Sequence, residues 1–221
     1  MAAITLLITM LATQPGAGRA RAFRLDSISG LSVPYGGKLS SATYRGRKAV
    51  VFTEDLDPNF GDVAVLPGID FKDGTIDFDV AGRLTPSAGP GSRSFCGIAF
   101  RGSGDMTHFE NFYLRMTNGR SQDQELRNHS VQYCSVPDYT WDVLRQKRPS
   151  RYEAYTDLVL GEWTHVKVVV RGTEATFYVN NAKQPTLLVH GLLGKERSGK
   201  VALWVAAHTQ AYFANVVIKP A

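Results

Sequence analysis

The last third of the chain constrains its fold most. Glu162–Val170 (EWTHVKVVV), Glu174–Asn180 (EATFYVN), Gly199–Ala206 (GKVALWVA) and Ala211–Ile218 (AYFANVVI) are strand-length runs rich in β-branched and aromatic residues. Arg171-Gly172-Thr173 joins the first two as a turn, and loops around Asn181–Gln184 and Gly191–Ser198 separate the rest. Four such strands in succession point to an antiparallel sandwich, because each has one apolar face that a second sheet must cover.

The earlier chain fits the same plan. Lys48–Phe52 (KAVVF) reads as a strand, and Asp55–Gly68 reads as turn-rich. In Gly74–Val80 (GTIDFDV), Ile76, Phe78 and Val80 alternate with Thr75, Asp77 and Asp79, giving one buried and one acidic face. That acidic pair leaves calcium open without requiring it. The stretch Ser94–Arg115 holds the densest mixture of aromatic, charged and amide side chains, and reads as two strands joined by a turn at Gly102-Ser103-Gly104-Asp105. Alternation assigns Cys96, Ile98 and Phe100 to the core, and Phe95, Gly97, Ala99 and Arg101 to the opposite face. In the second strand, Glu110, Phe112 and Leu114 share one face, while Phe109, Asn111, Tyr113 and Arg115 share the other.

Small residues in the middle of a face leave room for something flat, and Asn, Tyr and Arg side by side can grip a polar ring. The strand Ser130–Val136 puts Gln132 and Cys134 on one face and Val131 and Tyr133 on the other, and alternation does not decide which is core. Two excursions flank it. Thr117–Asn128 is polar and aperiodic, whereas Asp138–Tyr155 carries Tyr139, Trp141, Tyr152 and Tyr155 among basic residues. Aromatic rings on loops above a polar sheet can stack on the apolar C–H faces of sugars.

Charge sets limits on partners. The chain has 25 basic and 20 acidic residues among 221, net +5, and apart from Arg145, Lys147, Arg148 and Arg151, which read as an exposed loop, the basic residues are scattered rather than gathered in a stripe, which argues against nucleic acid. Ala2–Ala12 is an apolar run of h-region length, followed by Ala20-Arg21-Ala22, which fits a small-residue cleavage site. Residues 1–22 are therefore expected to be a secretory signal peptide and 23–221 a single domain, secreted or periplasmic. No later run is apolar enough for a membrane span. Cys96 and Cys134 are expected to stay unpaired, since a strand between theirs would separate them by about 10 Å, beyond the ~7 Å Cα limit of a disulfide.

The strings FKDGTIDFDV, GIAFR, FENFYLR, WTHVKVVVRGTEATFYVN and the closing GKVALWV and AYFANVVI together resemble the concanavalin A-like lectin/glucanase superfamily, especially bacterial laminin-G-like domains and their 3-keto-disaccharide hydrolase relatives. The resemblance runs from about residue 40 to 219. It implies an all-β jelly-roll sandwich of two antiparallel sheets whose concave face binds glycans. Carried onto this chain, that face would hold Arg101, Asn111, Tyr113, Arg115 and Gln132, with Trp141 on its rim. The E-x-D-x-x-E strand of laminarinase-type enzymes is missing, and so are the Gln-Ile-His and Tyr-Phe-Lys strands of the alginate lyases. Against the hydrolase pattern, the chain keeps Gly97-Ile98, Arg101 and Phe109-Glu110 but has Phe112 at the Gln position and Arg115 where an acid is expected.

The expectation is an exported glycan-binding domain without catalysis. The alternative is a carbohydrate-active enzyme, hydrolase or lyase, with Glu110 as acid or base, since a carboxyl desolvated beside aromatic rings has a raised pKa. A laminin-G-like adhesion or protein-interaction domain is the third reading.

Overall fold

The computed structural model describes residues 18–54, 60–195 and 197–221. Along them run strands β1 (Arg21–Phe23), β2 (Lys38–Tyr44), β3 (Arg47–Glu54), β4 (Asp62–Val65), β5 (Gly74–Leu84), β6 (Phe95–Gly102) and β7 (Phe109–Arg115). Helix α1 (Gln124–Asn128), strand β8 (Val131–Val136), helix α2 (Trp141–Lys147) and strand β9 (Glu153–Ala154) follow. Strands β10 (Thr164–Arg171), β11 (Glu174–Val179), β12 (Leu187–His190), β13 (Lys200–Val205) and β14 (Thr209–Pro220) complete the order.

These strands form two antiparallel sheets. One runs β12-β11-β10-β5-β14-β3-β2, with β1 pairing to β14, and the other runs β4-β13-β6-β7-β8-β9. The two chain halves are interleaved: β14 lies between β3 and β5, and β13 lies between β4 and β6. The core lies between the sheets, where Phe112 of β7 stacks on Phe177 of β11 with ring centroids 4.1 Å apart and Phe78 meets Phe213. Tyr133 also reaches Phe177, so the face of β8 that alternation left undecided is settled: Val131 and Tyr133 turn inward.

Cys96 and Cys134 are both free and buried. They sit on strands separated by β7, Cys96 opposite Leu114 and Cys134 opposite Asn111, and therefore on opposite faces of the sheet.

Several elements escaped the pattern. Strand β4 falls in the region read as turns, and β12 lies between the two loops read around 181–184 and 191–198; both are four-residue edge strands too short for their alternation to stand out. The excursion from 117 to 128 ends in α1, capped by Asp123, whose carboxylate accepts from the Glu125 and Leu126 amides. The later excursion contains α2 and β9, and α2 buries only Leu144, so it offers no apolar stripe to read. Residues 1–17 of the expected signal segment lie outside the described residues, and the expected cleavage before Phe23 falls within β1.

Candidate functional site

The outer face of the six-stranded sheet is built in rows by the strand register. Trp204, Gly97, Tyr113 and Gln132 stand in one row, and Ala202, Ala99, Asn111 and Cys134 in the next. The first row explains Gly97. With no side chain there, the rings of Trp204 and Tyr113 meet across it at 4.7 Å, and a Cβ at Gly97 would stand 2.8 Å from the Tyr113 Cβ and 2.1 Å from the Phe112 carbonyl oxygen. Phe95 closes on Tyr113 edge-on at 6.1 Å. The second row is small, so the surface dips beside the aromatic ridge.

This dip is the floor of an open groove of about 650 Å³, within the range of ligand pockets. Phe95, Asn111, Tyr113, Arg115, Cys134 and Trp204 form its base, the loop Gly89–Arg93 one wall, and Trp141 with Arg145 of α2 another. Trp141 is 48% exposed and carries the Arg145 guanidinium 4.9 Å from its ring centroid. Asn111 is 1% exposed, and its side-chain oxygen has no hydrogen-bond partner among the described residues. A buried amide oxygen left without a donor costs stability, so a ligand hydroxyl that supplied one would be favoured there.

Arg115 is the hub beneath the groove. Its Nη1 donates to the His129 carbonyl (3.0 Å) and to Glu153 Oε1 (3.2 Å), and its Nη2 to the Tyr113 hydroxyl (3.1 Å) and to Gln132 Oε1 (3.0 Å). The same Glu153 oxygen accepts from Arg145 Nη2 at 2.6 Å. Burial pushes the Tyr113 hydroxyl well above the usual phenol range and the Cys134 thiol up to about 12, so neither ionises at neutral pH.

Of the residues expected on this face, Asn111, Tyr113, Arg115 and Trp141 come together in the groove. Gln132 does not reach it: fully buried, it accepts from Arg115 and donates to the Tyr133 carbonyl, so it orients the arginine from below. Arg101 does not join the face either. Between Lys200–Gly102 and Ala202–Ala99 two steps of β13 span three of β6, and in this bulge Arg101 takes a φ of 50°. The extra residue breaks the alternation and turns its side chain to the Lys72 carbonyl (2.8 Å), Asp73 (3.0 Å) and the Gly172 carbonyl (2.7 Å).

Glu110 also lies away from the groove. It is 1% exposed, its Oε2 accepts from the Tyr133 hydroxyl (2.6 Å) and its Oε1 from the Gly194 amide (3.0 Å). Burial pushes its carboxyl above the usual range against the opposing pull of those hydrogen bonds. The void beside it measures about 10 Å³, room for about one water and not for a sugar. Asp77 and Asp79 face outward on the other sheet, where Asp79 accepts from Arg47 (3.0 Å) and Asn215 (2.9 Å) and lies 2.9 Å from His165.

Trp204, Arg93, Arg145 and Glu153 belong to the site and were not among the residues expected there, and Arg145, read from the sequence as part of an exposed basic loop, lies in α2. Alternation in GKVALWVA does place Ala202 and Trp204 on one face, but that it is this face follows only from the pairing of β13 with β6.

No protein-family model matches the chain, and no curated protein sequence does. Solved structures do. The carbohydrate-binding module CBM66 from Bacillus subtilis superposes with a TM-score of 0.57 at 13% identity, over 86% of this chain and 95% of that one. A protein of unknown function with a galectin-like fold from Bacillus subtilis gives 0.59 at 13%, over 93% and 97%. The Crh5 transglycosylase in complex with NAG gives 0.56 at 10%, over 93% and 85%. At these identities the likeness is one of fold, and the chain has the concanavalin A-like jelly roll that its sequence led us to expect.

Proposed function

We propose that the protein is an exported carbohydrate-binding domain that holds its glycan in the groove on the outer face of the six-stranded sheet and does not cleave it. The observation that carries this reading is the groove's base: the unpartnered side-chain oxygen of Asn111 lies beside the Tyr113–Trp204 ridge, under the exposed ring of Trp141. A polar atom in need of a hydroxyl donor beside flat apolar rings suits a sugar, whose edges are polar and whose faces are not. The neighbours in fold include a carbohydrate-binding module and a transglycosylase solved with NAG, which agrees with a glycan ligand.

The absence of catalysis is supported by the groove's chemistry. Hydrolysis by paired carboxylates needs two acids flanking the scissile bond. No Asp or Glu is among the described residues lining the groove, and Glu110 faces the other side of its strand. Export rests on the apolar leader and the small residues that follow it.

The test is a binding and turnover screen against neutral, uronic and 3-keto oligosaccharides, reading bound ligand and released product together. Binding without product supports the reading. Product that disappears in Glu110→Gln replaces it with the enzyme alternative.

A further inference from the structure

The groove's charge names a class of ligand, an inference that rests on the carbohydrate reading above. Three guanidinium groups line it, those of Arg93, Arg115 and Arg145, with His129 and His208, and no carboxylate lines it among the described residues. Arg115 and Arg145 share a single counter-charge, Glu153, whose side chain is only 3% exposed behind them. His129 does not add to the charge at neutral pH, because burial lowers its pKa. Arg93 pairs with no acid among the described residues: its Nη1 donates to the carbonyls of Pro90 (2.9 Å) and Ser92 (3.2 Å) in its own loop. Among the described residues, three positive charges therefore meet one negative charge. The further carboxylates on the neighbouring helices, Asp142 and Glu125, are exposed outside the groove.

A concave surface with low-dielectric walls and charge of one sign concentrates the opposite ion, and guanidinium groups are the donors best matched to planar oxyanions. The arrangement also leaves donors free. Among the described residues, Arg145 commits Nε and Nη2 to Glu153 and no partner takes its Nη1, and Arg93 commits only Nη1. Asn111, at the base, offers its unpartnered oxygen to a hydroxyl, so acid and hydroxyl recognition lie in one groove.

We propose that the groove selects acidic glycans, those whose sugar rings carry carboxylate or sulfate groups, with the anion held by Arg93 and Arg145 and the ring set on Trp141.

The experiment is a calorimetric titration of the protein with four probes: an oligogalacturonate, the same oligosaccharide after carboxyl reduction, an oligoglucuronate and a sulfated galactan oligosaccharide. At 50 mM salt, at least one acidic probe should bind ten-fold or more tightly than the reduced neutral one, and the preference should shrink by 500 mM salt as screening sets in. Carboxylate and sulfate are told apart by which acidic arm gains. Arg93→Gln and Arg145→Gln should each bring the acidic-to-neutral ratio towards unity, with folding checked by thermal melting. Arg93→Gln is the safer variant because it breaks no ion pair. Equal binding of acidic and reduced probes overturns the acidic assignment and leaves the carbohydrate reading standing. No binding of any probe overturns both.

Discussion

Glu110 and Asn111 are neighbours in β7 and face opposite sides of the six-stranded sheet, Glu110 towards Tyr133 and Gly194, and Asn111 into the groove. One peptide unit thus separates a buried carboxylate from the surface that can hold a ligand. Its hydrogen bonds to the Gly194 amide and, through Tyr133, to the Leu193 amide tie the chain after β12 to the sheet. Glu110 is best understood as the anchor of that segment.

The first consequence concerns pH. Burial raises the folded-state pKa of Glu110 above its ordinary value of 4.5. The folded protein then holds a proton that the unfolded chain releases, so this group's contribution to stability falls as pH rises from about 4.5 through the folded pKa. Urea unfolding of the wild type and Glu110→Gln across pH 4 to 8 should show the wild type losing ground relative to the variant as pH increases. A difference that stays constant with pH would show that Glu110 titrates alike in both states.

Tyr133→Phe tests the anchor from its other end. The hydroxyl donates to Glu110 at 2.6 Å and accepts the Leu193 amide at 2.8 Å, so its loss takes one donor from the buried Glu110 carboxylate and the acceptor from the part-buried Leu193 amide. The expected cost is about 1–3 kcal/mol of stability. Amide exchange at Leu193 and Gly194 should accelerate more than exchange in β7, and uniform acceleration would mean that the contact holds the whole fold rather than this segment.

How far the sequence reached is clearest at Tyr113 and Arg101. Tyr113, Asn111 and Arg115 could be assigned to one face because β7 is regular and a period of two survives in the letters. Arg101, two residues past Ala99, was assigned by the same rule and lies elsewhere, because the bulge in β6 adds a residue whose signature is a backbone angle and not a side chain. Trp204 was out of reach for a different reason. It joins the face through a pairing between strands about a hundred residues apart, and alternation within one strand carries no information about its neighbour. Gln132 was on the right face, but its role beneath Arg115 depends on depth, which alternation does not encode.

Arg115 and Arg145 hold the same carboxylate yet should differ sharply when removed. Arg115 has a side chain 6% exposed and serves four acceptors, so Arg115→Ala strands the Tyr113 hydroxyl and Gln132 and weakens the cover on Glu153. A loss of about 3–5 kcal/mol is expected, enough to confound any binding assay with unfolding. Arg145 is 34% exposed, and its removal leaves Arg115 on Glu153, so Arg145→Ala should cost about 1 kcal/mol or less. Denaturant midpoints of the two variants check the ordering, and similar losses would mean that Glu153 depends equally on both.

Trp141→Ala separates ligand contact from fold. The ring is about half exposed at the start of α2, where the helix is anchored by Leu144 rather than by the tryptophan, and its recorded ring contact is with the Arg145 guanidinium. Truncation should therefore leave the melting temperature almost unchanged, since an exposed cation–π pair contributes only about 0.5–1 kcal/mol. Glycan affinity should fall by about 1–2 kcal/mol, roughly five- to thirty-fold, as expected when one aromatic platform is lost. Intrinsic fluorescence offers the complementary readout: a ligand seated on Trp141 should shift the wild-type emission, and the shift should largely vanish in the variant. A full shift in Trp141→Ala would place the ligand on Trp204 instead, deeper in the groove and beside Tyr113.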